Sequence, residues 1–392
     1  MGAPDYDLIV IGAGIQGAGV AQAAAAAGYR TLILEQTAIA AGTSSRSSKL
    51  IHGGLRYLES LQFGLVRKSL RERDILLDIA PRLVELVPFY IPVYRETTRR
   101  PWQLRIGLSL YALLGGLQRR DRFHVLSRAE REALPGIRKD GLTTVFRYYD
   151  ARTDDAALTR AVVASAVELG AELRCPAAFR RADVSEQGVT LEYEENGESR
   201  AVTGHALVNA AGPWVNAVLE RIRPQVAPRA MDLVQGAHLV LDAPAPRGVF
   251  YVEAPQDRRA VFVMPWQGKT LIGTTETVFE DDPAKVAPTE AERDYLLEIW
   301  RYYFPASTDS VIDSFAGLRV LPRSDKSVFH RPRDTVFHTS HPGNRVLTLY
   351  GGKLTGYRAT AEEALGYLKG ALPPAMPCAD TRTLRLEPVE TC

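Results

Sequence analysis

The chain has 392 residues, with 48 Lys and Arg against 46 Asp and Glu and a formal net charge of +2. That length accommodates two domains or one large composite one, and the near-balance of charge gives no electrostatic case for nucleic acid as a partner. Cys175, Cys378 and Cys392 show neither CxxC pairing nor metal-ligand spacing, which suits a reducing, cytoplasmic compartment and implies no bound metal.

In chain order, the first element is the most informative. Leu8 to Gly12 reads as a short buried strand. It runs into G-x-G-x-x-G at Gly12, Gly14 and Gly17, an alanine-rich run closed by Gly28, and a second apolar strand, Thr31 to Leu34, ending in Glu35. This is the pattern of a β-α-β unit that binds a dinucleotide. Gly12 permits the tight turn, Gly14 lets backbone approach a pyrophosphate, and Gly17 lets helix and strand pack closely. The free N–H groups of the helix start face the phosphates. Glu35 stands where an acid accepts hydrogen bonds from a ribose hydroxyl. No apolar run reaches the ~20 residues that a bilayer crossing needs. The N-terminal apolar run lacks the basic flank of a signal peptide.

The next stretch, Thr43 to Glu59, reads TSSRSSKLIHGGLRYLE. Its hydroxyls suit a loop wrapping a cofactor, since each can donate to phosphate or ring atoms. On these seventeen residues the chain resembles the FAD-dependent glycerol-3-phosphate dehydrogenases and oxidases.

Leu61 to Ile79 then reads as an amphipathic helix ended by Pro81, and Pro88 to Tyr94 as a strand. Pro101 opens an apolar helix, Trp102 to Leu117, flanked by Arg99, Arg100 and Arg105 and by Arg119, Arg120 and Arg122. It is too short to span. It can lie in a membrane interface, or it can be a buried helix with solvated ends. A helix from Ala156 to Leu169 follows, closed by Gly170, then short strands and an Asn196-Gly197 hairpin turn. His205 to Ala211 is a strand ending in Gly212-Pro213-Trp214, and NAAGPW is similar to the family's NATGPW. Met231 to Leu241 is a strand carrying His238 in QGAH. A hairpin turns at Gln267-Gly268 into IGTTE, similar to the family's IGTTD. Thr289 and Glu292 form a capping box. SFAGLRVLP, Ser314 to Pro322, resembles the family strand that bears a substrate-binding arginine, and GGKLTGYR, Gly351 to Arg358, resembles its GGKLTTYR.

The resemblance runs from about Tyr6 to about Leu368. It implies an α/β fold: a discontinuous FAD-binding Rossmann-type domain of the glutathione-reductase and D-amino-acid-oxidase kind, residues 1–80, 150–230 and 340–372. A β-rich substrate domain, 81–149 and 231–339, is inserted into it. Residues 373–392, with Pro373, Pro374 and Pro377, read as a loose C-terminal tail. Family members usually continue into a helical C-terminal domain, so the expectation is a short form.

The chemistry implied is oxidation of sn-glycerol 3-phosphate to dihydroxyacetone phosphate by hydride transfer to FAD. One GxGxxG leaves no nicotinamide site evident, so electrons should pass to a quinone or to oxygen. Cofactor contacts are expected from Gly12, Gly14, Ile15, Gln16, Gly17 and Glu35; from Thr43, Ser44, Ser45, Ser48, Lys49, Leu50 and His52; from Ala211, Gly212 and Trp214; and from Gly352, Lys353, Leu354 and Thr355. Arg56, Tyr57, Lys353 and Thr355 are candidate substrate ligands, with Arg331 favoured over Arg333 as a further one. Arg319 is expected to hold substrate at the reacting centre. His52 is the favoured base, because a histidine titrates near neutrality, and His238 is the second choice. Two rivals stay open: an enzyme of this fold acting on another 2-hydroxy acid or an amino acid, and a flavin-binding module without catalysis. Association with the cytoplasmic face of a membrane is an expectation tied to the 102–117 helix. The oligomeric state stays open.

Overall fold

The computed structural model of the chain describes residues 3–324 and 334–389. Its first unit is β1 (Tyr6–Ile11), α1 (Ile15–Ala26) and β2 (Thr31–Leu34). The two strands run parallel, Leu8 opposite Thr31 and Ile11 opposite Leu34. Gly12 makes the turn at φ +100°, a conformation that side chains resist. A Cβ on Gly17 would lie 1.9 Å from the Gly12 carbonyl oxygen, so only glycine lets α1 sit this close to its strand. The alanines of α1 are buried on every side, as expected of a helix apolar all round. Their small side chains let the helices Asp155–Glu168 and Tyr357–Leu368 pack directly against it.

Among the described residues the strands form two sheets. The parallel core of the first runs Glu172–Arg174, β2, β1, Glu198–Asn209, Val346–Tyr350. An antiparallel flank, Ala178–Val184 and Val189–Glu195, pairs with the first half of Glu198–Asn209. Asn196 and Gly197, both at positive φ, make that hairpin's turn. Val336–Ser340, which straddles the expected boundary at 339 and 340, pairs along its whole length with Val346–Tyr350 in this sheet.

The second sheet is mostly antiparallel. It includes Val84–Tyr94, Leu142–Thr153, Met231–Leu241, Val249–Glu253, Ala260–Trp266, Lys269–Gly273 and Val311–Pro322. Strand alternation gives it two apolar faces. Leu239, Leu241, Val263 and Ile272 pack on the helix Glu290–Tyr303. That helix starts at the expected box, where Glu292 N–H donates to Thr289 Oγ1 (3.2 Å) and Thr289 N–H to Glu292 Oε2 (3.1 Å). On the other face Val240, Tyr251, Met264 and Leu271 join Val66 and Leu70 of α2 (Phe63–Ile79) and Leu104, Leu108 and Tyr111 of α3 (Pro101–Leu114). In α3 that face is core, while Trp102, Ile106 and Leu113 stand about 60% exposed (63, 60 and 59%).

The tail is not loose. Cys378 N–H donates to the Ala26 carbonyl (2.8 Å) and Leu386 N–H to the Ile79 carbonyl (2.8 Å), while the Leu386 side chain is buried in the core around α1. A run of prolines signals the absence of helix; packing depends on the apolar residues around them.

Candidate active site

A cavity of about 770 Å3 lies between the two sheets, lined by the ends of β1 and β2 on one side and by Gly236, His238 and Leu318 to Leu321 on the other. The 43–57 segment ties the halves together. Ser44 Oγ accepts from Ile15 N–H (2.9 Å), and Thr43 Oγ1 donates to the Leu318 carbonyl (2.8 Å), next to Arg319.

The start of α1 faces this cavity through Gly12, Gly14, Ile15 and Gln16. Gly14, its N-cap, supplies no side-chain cap, Ser44 Oγ takes only the Ile15 N–H, and no acid stands in its first turn, so the positive end of the helix favours an anion. Glu35 is fixed by Ala13 N–H (2.9 Å) and Thr37 N–H (3.0 Å) and also lines the cavity. Ser48, Leu50, His52, Ala211, Gly212, Trp214, Gly352, Lys353, Leu354 and Thr355 line it too. Gly351 and Gly352 both sit at positive φ, which turns backbone rather than side chain toward the site. The Lys353 carbonyl accepts from Gln16 Nε2 (3.2 Å), joining this turn to the glycine motif.

Three expected cofactor contacts go elsewhere. Gly17 serves helix-to-strand packing and lies outside the cavity lining. Ser45 Oγ donates to the Gly42 carbonyl. Lys49, its side chain only 5% exposed, pairs with Asp155 Oδ1 at 2.6 Å. Ser47 Oγ donates to the other oxygen of that carboxylate, also at 2.6 Å. A buried lysine must find an anion, and the acid at the start of the helix Asp155–Glu168 supplies it.

The cations meet in one place. Lys353 Nζ lies 4.1 Å from the centre of the Tyr57 ring and Arg56 Cζ 5.2 Å from it. Arg56 Nη1 and Arg319 Nη1 are each 3.7 Å from Glu276 Oε1. Arg319 also donates to Thr274 Oγ1 (3.1 Å) and the Thr275 carbonyl (3.5 Å). Burial works against the Arg56 charge, but Tyr57 and Glu276 outweigh it and raise its pKa. Arg331 and Arg333 lie outside the described residues.

The two histidines differ. His52 lines the cavity, its N–H donating to Thr355 Oγ1 (3.1 Å) and its ring edge-on to Phe262 at 6.0 Å. His238 is buried, stacks on Phe315 at 4.9 Å, and shares a hydrogen bond of 2.9 Å between Nε2 and Ser48 Oγ. Burial, with the charges of Arg319 and Lys49, lowers its pKa to about 3. A lowered pKa makes this imidazole a weak proton acceptor, which favours His52 over it as the base.

Two features escaped the sequence reading. Glu276 was hidden in a motif match; its one signal is the Glu where the family has Asp. Tyr111, from the apolar helix, accepts a hydrogen bond from Gly53 N–H (2.8 Å) and donates to Asp150 Oδ2 (2.5 Å). Asp150 in turn pairs with the fully buried Arg73 of α2 (2.9 Å).

Fold and site together define a dinucleotide-binding oxidoreductase whose cavity wall carries a cluster of cations. The family model for FAD dependent oxidoreductases matches residues 7–358. A D-erythritol 1-phosphate dehydrogenase of Brucella abortus is 36% identical, over 94% of this chain and 74% of that protein. A glycerol-3-phosphate dehydrogenase of Pseudomonas aeruginosa is 38% identical, over 93% of this chain and 72% of its own. Among solved structures, the glycerol-3-phosphate dehydrogenase of Bacillus halodurans, complexed with FAD, aligns with a TM-score of 0.76 at 29% identity, covering 97% of this chain and 67% of that one. The chain belongs to the FAD-dependent oxidoreductase family, in the group of the FAD-dependent glycerol-3-phosphate dehydrogenases. FAD is its cofactor, and the α1 terminus, Glu35 and the Gly351–Gly352 turn are a donor and acceptor set that fits a flavin dinucleotide.

Proposed function

We propose that the chain oxidises sn-glycerol 3-phosphate to dihydroxyacetone phosphate. The observation that carries this reading is the convergence of Arg56, Arg319 and Lys353, with Tyr57 and His52, on the cavity that the dinucleotide motif also lines. FAD, when bound, supplies the hydride acceptor. The chain's own part is to hold and orient a phosphorylated alcohol and to take its hydroxyl proton. Arg56, Arg319 and Lys353 neutralise the phosphate, since guanidinium and ammonium groups make charge-assisted bonds to it. His52 is the proton acceptor: both it and His238 line the cavity, but burial and two neighbouring cations lower the pKa of His238 to about 3. Buried His238 keeps Ser48 in place through their mutual bond.

Electrons leave to a quinone in this reading. The exposed side of α3, with Trp102, Ile106 and Leu113 beside the exposed Arg100 and Arg105, supports docking on an anionic membrane surface where quinone is held. No helix among the described residues is long and apolar enough to cross a membrane.

A second reading has a specific basis: the Brucella relative is named for a four-carbon polyol phosphate. Anaerobic titration of the flavoprotein tests both. Glycerol 3-phosphate should bleach the flavin absorbance stoichiometrically. Bleaching by D-erythritol 1-phosphate but not by glycerol 3-phosphate transfers the assignment to the longer substrate. Failure of both removes the polyol phosphate reading.

A further inference from the structure

One row of the second sheet forms a floor to the cavity. Strand register sets Tyr251 opposite Phe262, Phe262 opposite Gly273, Gly273 opposite His238 and His238 opposite Phe315, so these positions share a face. A Cβ on Gly273 would lie 2.2 Å from His238 Cδ2, so the imidazole fills the gap that glycine leaves. The Tyr251 and Phe262 ring centres are 5.2 Å apart, and Phe262 is 6.0 Å from His52 on the facing segment. Two side chains of this row carry polar groups. His238 is bonded to Ser48 at 2.9 Å. The Tyr251 hydroxyl makes no hydrogen bond among the described residues, although the residue is only 8% exposed and lines the cavity.

A buried hydroxyl without a partner is costly, and its place on a cavity wall calls for a ligand. The buried Tyr94, Tyr111 and Tyr303 hydroxyls, by contrast, donate to the Arg138 carbonyl, Asp150 and the Glu253 carbonyl at 2.9, 2.5 and 2.6 Å. Tyr148 also lines the cavity without a hydrogen bond among the described residues, but the charges that reach it are those of Asp150 and Arg73, both fully buried. Tyr251 is reached by Arg99 and Arg56. Arg99 is engaged by Glu59 and Glu253 at 2.5 and 3.1 Å, whereas Arg56 stands on the cavity wall. Burial, with Glu59 and Glu253, outweighs both cations and raises the pKa of the phenol, so near neutrality it keeps its proton and donates.

The geometry points to Tyr251 as a further substrate-binding residue, whose hydroxyl donates to the anionic group that Arg56 draws into the cavity. The inference rests on the polyol phosphate reading and adds a neutral donor to its phosphate subsite. Charge attracts an anion from a distance and leaves its orientation open. A hydroxyl on a sheet, its ring packed against Phe262, gives that anion a fixed direction.

Tyr251→Phe keeps the ring and deletes only the hydroxyl. On the flavin-loaded protein the KM for glycerol 3-phosphate should rise about tenfold or more, with kcat held within about threefold, because a hydrogen bond to a charged acceptor is lost. The dissociation constant of inorganic phosphate, read by calorimetry, should rise by a similar factor. The urea midpoint of the unliganded variant should equal or exceed the parent's, since no bond within the chain is broken. Unchanged constants for both ligands overturn the proposal. So does weaker glycerol 3-phosphate with inorganic phosphate unchanged, which moves the hydroxyl to the carbon chain. A lowered midpoint, or loss of flavin in place of phosphate affinity, overturns it as well, because the hydroxyl then serves the fold or the cofactor. If the parent turns over no glycerol 3-phosphate, the polyol phosphate reading fails by itself, and the comparison with inorganic phosphate still decides the role of Tyr251.

Discussion

Single residues carry two separable jobs at this site, and Arg319 shows how structure changes an expectation. From sequence alone, an arginine between Leu318 and Val320 looks costly to bury unless substrate pairs with it, so its removal should leave stability unchanged or higher. In the fold it already donates to Thr274 and Thr275 and stands 3.7 Å from Glu276. Arg319→Ala should therefore lower kcat/KM for glycerol 3-phosphate by roughly 10- to 100-fold and also lower unliganded stability, by about 1–2 kcal/mol, with flavin content little changed. A urea midpoint equal to the parent's would refute the second half. His238 gives a pH signature. Its folded pKa, about 3, lies below the ordinary 6.5. Between those values the unfolded chain binds a proton that the folded chain does not. Its contribution to stability is thus complete above about pH 6.5 and is lost as pH falls toward 3, at up to ~1.4 kcal/mol per pH unit. His238→Gln should flatten that dependence: from pH 7 to pH 5 the parent should lose more stability than the variant. Parallel losses in denaturant titrations at the two pH values would show that His238 does not titrate on unfolding. Neither Glu276 nor the burial of His238 could be read from the sequence, because both depend on what distant strands place around them.

At the scale of elements, periodicity and turn chemistry carried far. The β1-α1-β2 unit, both positive-φ hairpin turns and the 289–292 cap were legible because each is a local pattern with a local cause. What was not legible was how one element uses two faces. The apolar run of α3 read as either core or membrane face; one side is core, with Leu104, Leu108 and Tyr111 buried, and the other, with Trp102, Ile106 and Leu113, is exposed. The buried face reaches the site. Tyr111 links the Gly53 N–H, in the loop that carries His52 and Arg56, to Asp150 and through it to Arg73. Tyr111→Phe leaves a buried donor and a buried carboxylate each short of one bond, which should cost about 1–3 kcal/mol in a denaturant titration. Turnover per bound flavin should fall several-fold, since the loop bearing His52 loses its anchor; turnover at the parent's level would make Tyr111 a packing residue only. The outer face has its own test. With anionic liposomes at low salt the protein should float, and high salt should release part of it. A protein left in the soluble fraction at both salts leaves the exposed apolar side chains without a membrane role.

Over the whole molecule, segments remote in sequence are packed into one core, and the run from 373 to 389 is the least expected of them. Cys378 and Ala379 lie against the end of α1, the helix whose beginning faces the cavity. A helix end leaves carbonyls without intrahelical partners. Here Cys378 N–H donates to Ala26 O at 2.8 Å and Cys378 Sγ to Ala25 O at 3.3 Å. Arg358, paired with Glu72 of α2 at 2.7 Å, also donates to Thr381 Oγ1 (3.1 Å), which fastens the run to the helix Tyr357–Leu368. Leu386 closes the same core with 1% of its surface exposed. The proline pattern concealed this, because leucine burial far along an irregular segment has no periodicity to announce it. A loose tail would tolerate Leu386→Ala without effect. A packed one should lose about 2–5 kcal/mol, the range for deleting a buried leucine side chain. The loss should be largest in the apoprotein. FAD binds only the folded state, so excess cofactor should recover part of the midpoint shift in proportion to the logarithm of its free concentration. Urea titrations of parent and variant, each with and without FAD, decide the matter: an apoprotein midpoint the same for both would return residues 373 to 389 to the status of a tail.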